Sequence, residues 1–295
     1  MKDEVFVVIQ NLKKSLFRWR VFALVAVCLL IIASSSGKIF KLEKEENKII
    51  RIALDREITN NLFSEQKIRD LLSKDEVKGV ILEINSAGGD VVESEKLYNA
   101  FRKLAIKKPL VVSINGICTS GAYMIAMASD YIIAYNTSVV GSIGVIVEAY
   151  EITELAKKLG ISLTNYKTSN LKSALSPLEK ITPDVDMVVS QQINDVYDYF
   201  LNIFIERRKI KVEEAQEIAN GQAYTGRQAL DFGLIDKIGG YDEIKEYFKI
   251  NNLDLDSIKI VDYDIYNEKE DNFIKNLTKV LDSKYQMKLR AIFNY

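Results

Sequence analysis

The stretch VKGVILEI, Val77–Ile84, is almost continuously apolar and ends on NSAGGD, Asn85–Asp90. A strand with one wet face alternates polar and apolar residues. A near-unbroken run of β-formers belongs to a strand covered on both faces, the usual state of a parallel sheet. The glycine pair at its end lets the chain turn sharply, and Glu93–Leu104 then reads as a helix with Leu97, Ala100, Phe101 and Leu104 on one stripe. The pattern repeats in PLVVSI, Pro109–Ile114, which leads through NGICTSGA, Asn115–Ala122, into a compact helix of small residues over Ser120–Ser129. Lys48–Ala53, Tyr131–Ala134 and Ile161–Tyr166 read as further strands, and Glu151–Leu159 as a helix stopped by Gly160. Strands alternating with helices at this spacing predict βαβ units in a mainly parallel sheet, an α/β fold. A long helix over Val185–Arg208 follows, then a shorter one near Val212–Asn220. Another spans Thr225–Gly233, N-capped by Thr225 and closed by Gly233.

Composition narrows the chemistry. Among 295 residues there is no histidine, which excludes Ser-His-Asp and Cys-His nucleophiles, HExxH zinc sites and an imidazole base. A hydrolase built from this chain takes its base from lysine, a carboxylate, tyrosine or an ordered water. Lys plus Arg (40) and Asp plus Glu (41) nearly balance, so there is no broad basic field and no nucleic-acid partner is expected. Two cysteines, Cys28 and Cys118, neither make a zinc site nor suggest a disulfide framework.

The start of the chain predicts an address. Val21–Ala33 is an uninterrupted apolar run preceded by Lys13, Lys14, Arg18 and Arg20, with Trp19 placed as an interfacial anchor. Residues 21–40 are just long enough for a short transmembrane anchor if Lys38 snorkels, leaving 1–20 in the cytoplasm and sending the rest across. The run followed by ASSSG also resembles a cleaved signal segment, the second reading after the anchor, and both place the remainder outside the cytoplasm at the membrane. Residues 41–48 (KLEKEENK) read as a solvated linker, 49–250 as the main domain and 251–295 as an extension. The extension carries an amphipathic helix from Asp271, with Phe273, Ile274, Leu277, Leu281 and Tyr285 on one face.

Chemistry-bearing residues cluster at the two strand ends. The Gly88–Gly89 pair reads as a plain tight turn or as a source of uncovered N–H groups for an anion. Ser120 reads as a helix N-cap or as a nucleophile at the positive end of a helix dipole, with the Gly121 N–H facing a developing oxyanion. Cys118 is a rival nucleophile in principle only. A lysine serves as base when neutral, which requires burial among small or apolar groups. Lowering such a group from about 10.4 to about 7.5 takes about 4 kcal/mol of differential solvation. Lys172, in NLKSALSP (Asn170–Pro177), has neighbours of that kind.

Four separated pieces, taken in order, carry a family resemblance: INSAGGDV (Ile84–Val91), INGICTSGAYMIAMASDYIIA (Ile114–Ala134), GSIGVI (Gly141–Ile146) and LKSALSP (Leu171–Pro177). With ERRKI (Glu206–Ile210) and ANGQAYTGRQALDFGLIDKIGG (Ala219–Gly240) behind them, the chain from about Ile50 to Ile250 resembles the signal peptide peptidase A family, the protease IV group of Ser–Lys peptidases, in its short half-length form. That resemblance implies a ClpP/crotonase-like fold, with Ser120 as nucleophile and Lys172 as general base. It also implies an oxyanion hole from Gly88, Gly89 and Gly121, and Ser142 orienting the lysine. It implies remnant signal peptides and other short apolar peptides as substrates, membrane lipid as surroundings and a homo-oligomeric ring, in which serine and lysine can come from neighbouring protomers. No metal or nucleotide cofactor is called for. The family's pattern is departed from at Ala87, where it usually has Pro, at Ala122, where it usually has Gly, and at Met124, often Tyr. The alternatives are a related NfeD-type Ser–Lys protease cutting a membrane-protein partner, and a non-catalytic peptide-binding scaffold of the same fold. Acyl-CoA chemistry on that fold fits poorly with an address where CoA is not expected.

Overall fold

The computed structural model describes residues 13–29 and 46–267. They fall into two compact units, Met1–Glu46 and Asn47–Tyr295. In the first, residues 13–29 are helical, with every side chain exposed except the half-buried Ala26. Among the described residues no helix is long and apolar enough to cross a membrane. Much of the expected span at 21–40 lies outside the described residues, as does the expected helix from Asp271.

The second unit is built on one sheet. Its strands are β1 (Lys48–Leu54), β2 (Val77–Ser86), β3 (Leu110–Thr119), β4 (Tyr131–Ala134), β5 (Val139–Gly141), β6 (Ala223–Thr225), β7 (Lys237–Ile238) and β8 (Lys259–Asp262). They run in the order β6-β5-β3-β2-β1-β8, with β4 beside β3 and β7 on β4. Every pairing is parallel except β5 with β6, so the mainly parallel α/β sheet expected from sequence is present. The helices are α1 (Glu65–Asp70), α2 (Val91–Ala105), α3 (Gly121–Ala126), α4 (Thr153–Lys158), α5 (Pro183–Arg208), α6 (Val212–Ile218), α7 (Gly226–Asp231) and α8 (Tyr241–Ile250).

Burial on both faces accounts for the apolar run in β2. Val80, Leu82 and Ile84 join a core that includes Leu97, Phe101 and Leu104 of α2 and Tyr123 of α3. Ile81 points the other way, with Ile49, Val111 and Ile133, onto Ile244 and Phe248 of α8. The sheet takes in β8 from the segment read as a C-terminal extension, so the sheet unit continues past Ile250. Ile161–Tyr166, expected as a strand, is irregular. Its alternating residues find no neighbouring strand to pair with.

The strand that carries the site is β3. Sequence ended it at Ile114, but it continues to Thr119. Val111–Ile114 pairs with β4, whereas Ile117–Thr119 pairs with β5. Against β2 the register runs Ile84↔Ile114 and then Ser86↔Cys118, so β3 carries two extra residues over that step. Such an irregularity bends a strand and re-aims its end. Here it brings Thr119 and Ser120 alongside the turn that follows β2.

Candidate active site

Ser120 stands between β3 and α3 in the position of an N-cap, yet it does not cap. Its backbone is at φ 52, ψ −128 and its hydroxyl makes no capping hydrogen bond. A capping serine is normally extended and accepts from an amide of the first turn. A non-glycine residue at positive φ is strained by about 1–3 kcal/mol and persists only where its surroundings impose it. Those surroundings are visible: the Ser120 N–H donates to Gly141 O (2.8 Å), and Ser120 O accepts from the Tyr123 and Met124 amides (2.9 and 3.1 Å). The half-buried hydroxyl is thereby left facing a cavity of about 740 Å³ at the N-terminus of α3.

The turn after β2 presses against this serine. A β-carbon on Gly88 (φ +99) would lie 2.7 Å from Thr119 O, 2.8 Å from Gly121 N and 2.9 Å from Ser120 Cβ. The glycine is required by that close approach as much as by its positive φ. Gly89 lines the cavity, and its nitrogen is 3.7 Å from where a Gly121 β-carbon would sit. Gly121 begins α3, so its N–H is one of the first-turn donors without an intrahelical acceptor. Thr119 Oγ1 donates to Ala87 O (3.1 Å), tying the two strand ends together. Of the two alanines noted above, Ala87 borders the cavity and Ala122 is fully buried.

Ser142 lies on the same cavity. It too has positive φ (49°), and its N–H donates to Gln222 O (2.9 Å), while the Gly221 N–H donates to Ile143 O (3.0 Å). The wall formed by Ala219–Gly221 is held by two tyrosines: Tyr197, which also lines the cavity, donates its OH to Ala219 O (2.7 Å), and Tyr224 OH donates to Ile218 O (2.9 Å). Among the described residues no charged side chain lines the cavity. Val91, Ile143, Val145, Ile146 and Ile193 supply apolar surface, and Asn194 and Asn220 supply neutral polar groups.

Cys118, the rival nucleophile, is completely buried, and burial pushes its thiol well above the ordinary value. It does not line the cavity. Ser120, Ser142, Gly88, Gly89 and Gly121 thus come together, but Lys172 does not join them within one chain. It sits exposed in the irregular arm between α4 and α5, where its N–H donates to Ser169 O (3.0 Å), and it does not line the cavity. Sequence reading overlooked Ser86 and Ile58, which hold the glycine turn. Their signal is the partnership of β2 with a segment some thirty residues upstream, which no local pattern reveals.

A mainly parallel α/β sheet with a strained serine at a strand end, beside backbone N–H groups on a glycine turn, is an arrangement that suits a serine hydrolase. Residues 102–253 match the family model described as Peptidase family S49. A Methanocaldococcus jannaschii protein named as protease MJ0651 is 35% identical over 263 residues, covering 84% of both chains. The chain therefore belongs to peptidase family S49, the family of signal peptide peptidase SppA and protease 4. An Enterococcus faecium relative named as signal peptide peptidase SppA is 32% identical over 65% of this chain and 60% of its own length. Protease 4 of Haemophilus influenzae is 35% identical over 57% of this chain, which spans only 27% of that longer protein.

Proposed function

We propose that this peptidase is a membrane-anchored endopeptidase that uses Ser120 as nucleophile and Lys172 as general base to degrade remnant signal peptides. The observation carrying the reading is Ser120 itself: strained, uncapped and open to an uncharged cavity beside Gly88, Gly89 and Gly121. Ser120 Oγ attacks the peptide carbonyl as Lys172 takes its proton. The oxyanion is held by the Gly89 and Gly121 amides, and the lysine returns the proton to the leaving amine. Water activated by Lys172 then hydrolyses the acyl-enzyme, with Ser142 orienting the lysine. An uncharged cavity favours apolar side chains, the composition of signal-peptide cores, and disfavours charged ones that would lose hydration on entry.

A lysine is a base only when uncharged, which requires an enclosure that the exposed Lys172 lacks in one chain. A neighbouring copy supplies it. The arm around Lys172 exposes Leu159, Ile161 and Tyr166, and α4 with the segment before it exposes Ile146, Tyr150 and Leu155, together an apolar surface suited to burial against a second protomer. The working form is accordingly a ring with composite sites, on the extracytoplasmic face of the membrane, anchored through residues 21–40.

The test is labelling of detergent-solubilised protein with a serine-directed fluorophosphonate in wild type, Ser120→Ala and Lys172→Ala. Labelling that requires both residues is expected. Full labelling of Ser120→Ala removes the nucleophile assignment, and an unreactive wild-type oligomer favours a binding scaffold instead.

A further inference from the structure

We propose that Ile58 locks the oxyanion-hole peptide in its working orientation and that Tyr266 is a positioning residue holding that lock; this rests on the reading of Ser120 as nucleophile. The carbonyl of Gly88 and the N–H of Gly89 belong to one trans peptide unit, so they point in opposite directions. With glycine on both sides, each at positive φ, little steric resistance opposes rotation of that unit, and its orientation has to be imposed from outside.

Ile58 imposes it through its main chain. Its N–H donates to Gly88 O (2.8 Å) and its carbonyl accepts from the Asp90 N–H (2.7 Å), forming a parallel bridge across Gly89. Drawing Gly88 O toward Ile58 turns the Gly89 N–H toward Ser120 and Gly121. A rotated peptide would instead present a carbonyl oxygen to the developing oxyanion, a repulsive arrangement.

Ile58 sits in the middle of the connection between β1 and α1, and Tyr266 grips both ends of it. At the near end Tyr266 OH donates to Asp55 Oδ1 (2.5 Å) and accepts from the Asp55 N–H (3.3 Å), while the Arg56 guanidinium lies 4.2 Å over its ring. Ser86 Oγ donates to Arg56 O (2.6 Å) and accepts from the Gly88 N–H (3.2 Å), linking that end directly to the glycine turn. At the far end Phe63 packs on the Tyr266 ring (4.9 Å between centroids). The Ser64 N–H donates to Ile265 O (2.8 Å), and the Asn267 N–H to Leu62 O (2.9 Å). Tyr266, Ile265 and Ile58 are all buried.

The experiment compares wild type with Tyr266→Phe, which keeps the ring, and with Asp55→Asn, in the full chain. The rate constant and the end point of fluorophosphonate labelling are measured. So is the affinity for an apolar peptide aldehyde, which forms a tetrahedral adduct, against the matching peptide alcohol, which does not. Both variants are expected to label to the wild-type end point about tenfold more slowly, and to bind the aldehyde about tenfold more weakly with alcohol affinity unchanged, a fraction of the loss seen when an oxyanion donor is removed outright. Partial unfolding would lower the end point, and a distorted groove would weaken both peptides equally; either result overturns the lock. Wild-type rates in both variants do the same while leaving Ser120 in place. Failure of the wild type to label at Ser120 overturns the nucleophile reading and the lock together.

Discussion

Gly89 has no room for a side chain. A β-carbon there would lie 2.1 Å from Ile58 O, against backbone that cannot step aside, and the residue sits at φ +147. Gly89→Ala therefore has to break the Ile58 bridge or turn its own peptide, and either misdirects the N–H we propose as an oxyanion donor. We expect kcat to fall about 100-fold or more, the scale of a lost oxyanion-hole donor, with KM little changed. Steady-state kinetics on an apolar peptide, beside circular dichroism to confirm the fold, checks this; a kcat within a few-fold of wild type would show that Gly89 does not serve the oxyanion. The glycine pair was legible in sequence as a turn, but the Gly88 N–H is not uncovered, since it donates to Ser86 Oγ (3.2 Å); nor was the reason for the pair legible, because Ile58 and Thr119 reach it from distant parts of the chain. Ser120 shows the same limit. A serine before a run of small residues is read equally well as a cap or a nucleophile, and the choice falls to a backbone angle that Gly141, twenty-one residues on, helps to hold.

At the scale of elements, what sequence reveals depends on whether an element is specified by its own residues or by its partners. The buried strand β2, the stripe of α2 and Thr225 ahead of α7 were all readable, because burial pattern and cap chemistry are local. The short strands β5 to β8 were largely missed, since two to four residues carry no period and gain their identity only from pairing. The arm between α4 and α5 is held by polar contacts instead of a core. The Ile152 N–H donates to Pro177 O (2.8 Å), and Glu179 binds the Lys167 ammonium and the Asn165 amide. Lys167 and Asn165, in that order, hold the Glu179 carboxyl below its ordinary value, a case in which the folded arm prefers the ionised form. Its contribution is fully present above the ordinary carboxylate pKa of about 4.3 and is lost as pH falls through the lowered folded value. Amide exchange across 165–180 should therefore show protection at pH 6–7 that declines below about pH 4 in the wild type. Glu179→Gln should lose that pH dependence and open the arm already at neutral pH. Identical pH profiles for the two proteins would mean that Glu179 does not brace the segment bearing Lys172.

For the whole molecule, the decisive fact is that Ser120 and Lys172 stand apart in one chain. The serine is set on the sheet and the lysine on an exposed arm with an apolar surface. Both residues were named from sequence through the family's motifs, yet no motif states whether two sites in one chain meet each other or meet their counterparts in the next copy. If each site takes Ser120 from one protomer and Lys172 from its neighbour, two inactive variants can repair one another. In a randomly mixed ring of Ser120→Ala and Lys172→Ala protomers, a site is intact when an unaltered serine meets an unaltered lysine, in about one arrangement in four. Mixed rings, formed by co-expression, should thus regain up to about a quarter of wild-type peptidase activity, while each variant alone stays inactive. A site completed within one chain yields no intact combination at any mixing ratio, so absence of regain in rings shown to contain both variants would place Lys172 beside Ser120 of its own chain and require the arm to fold back over the cavity. Regain that disappears when the rings are dissociated would tie catalysis to assembly. The exposed apolar arm would then serve to carry the base across the boundary between protomers.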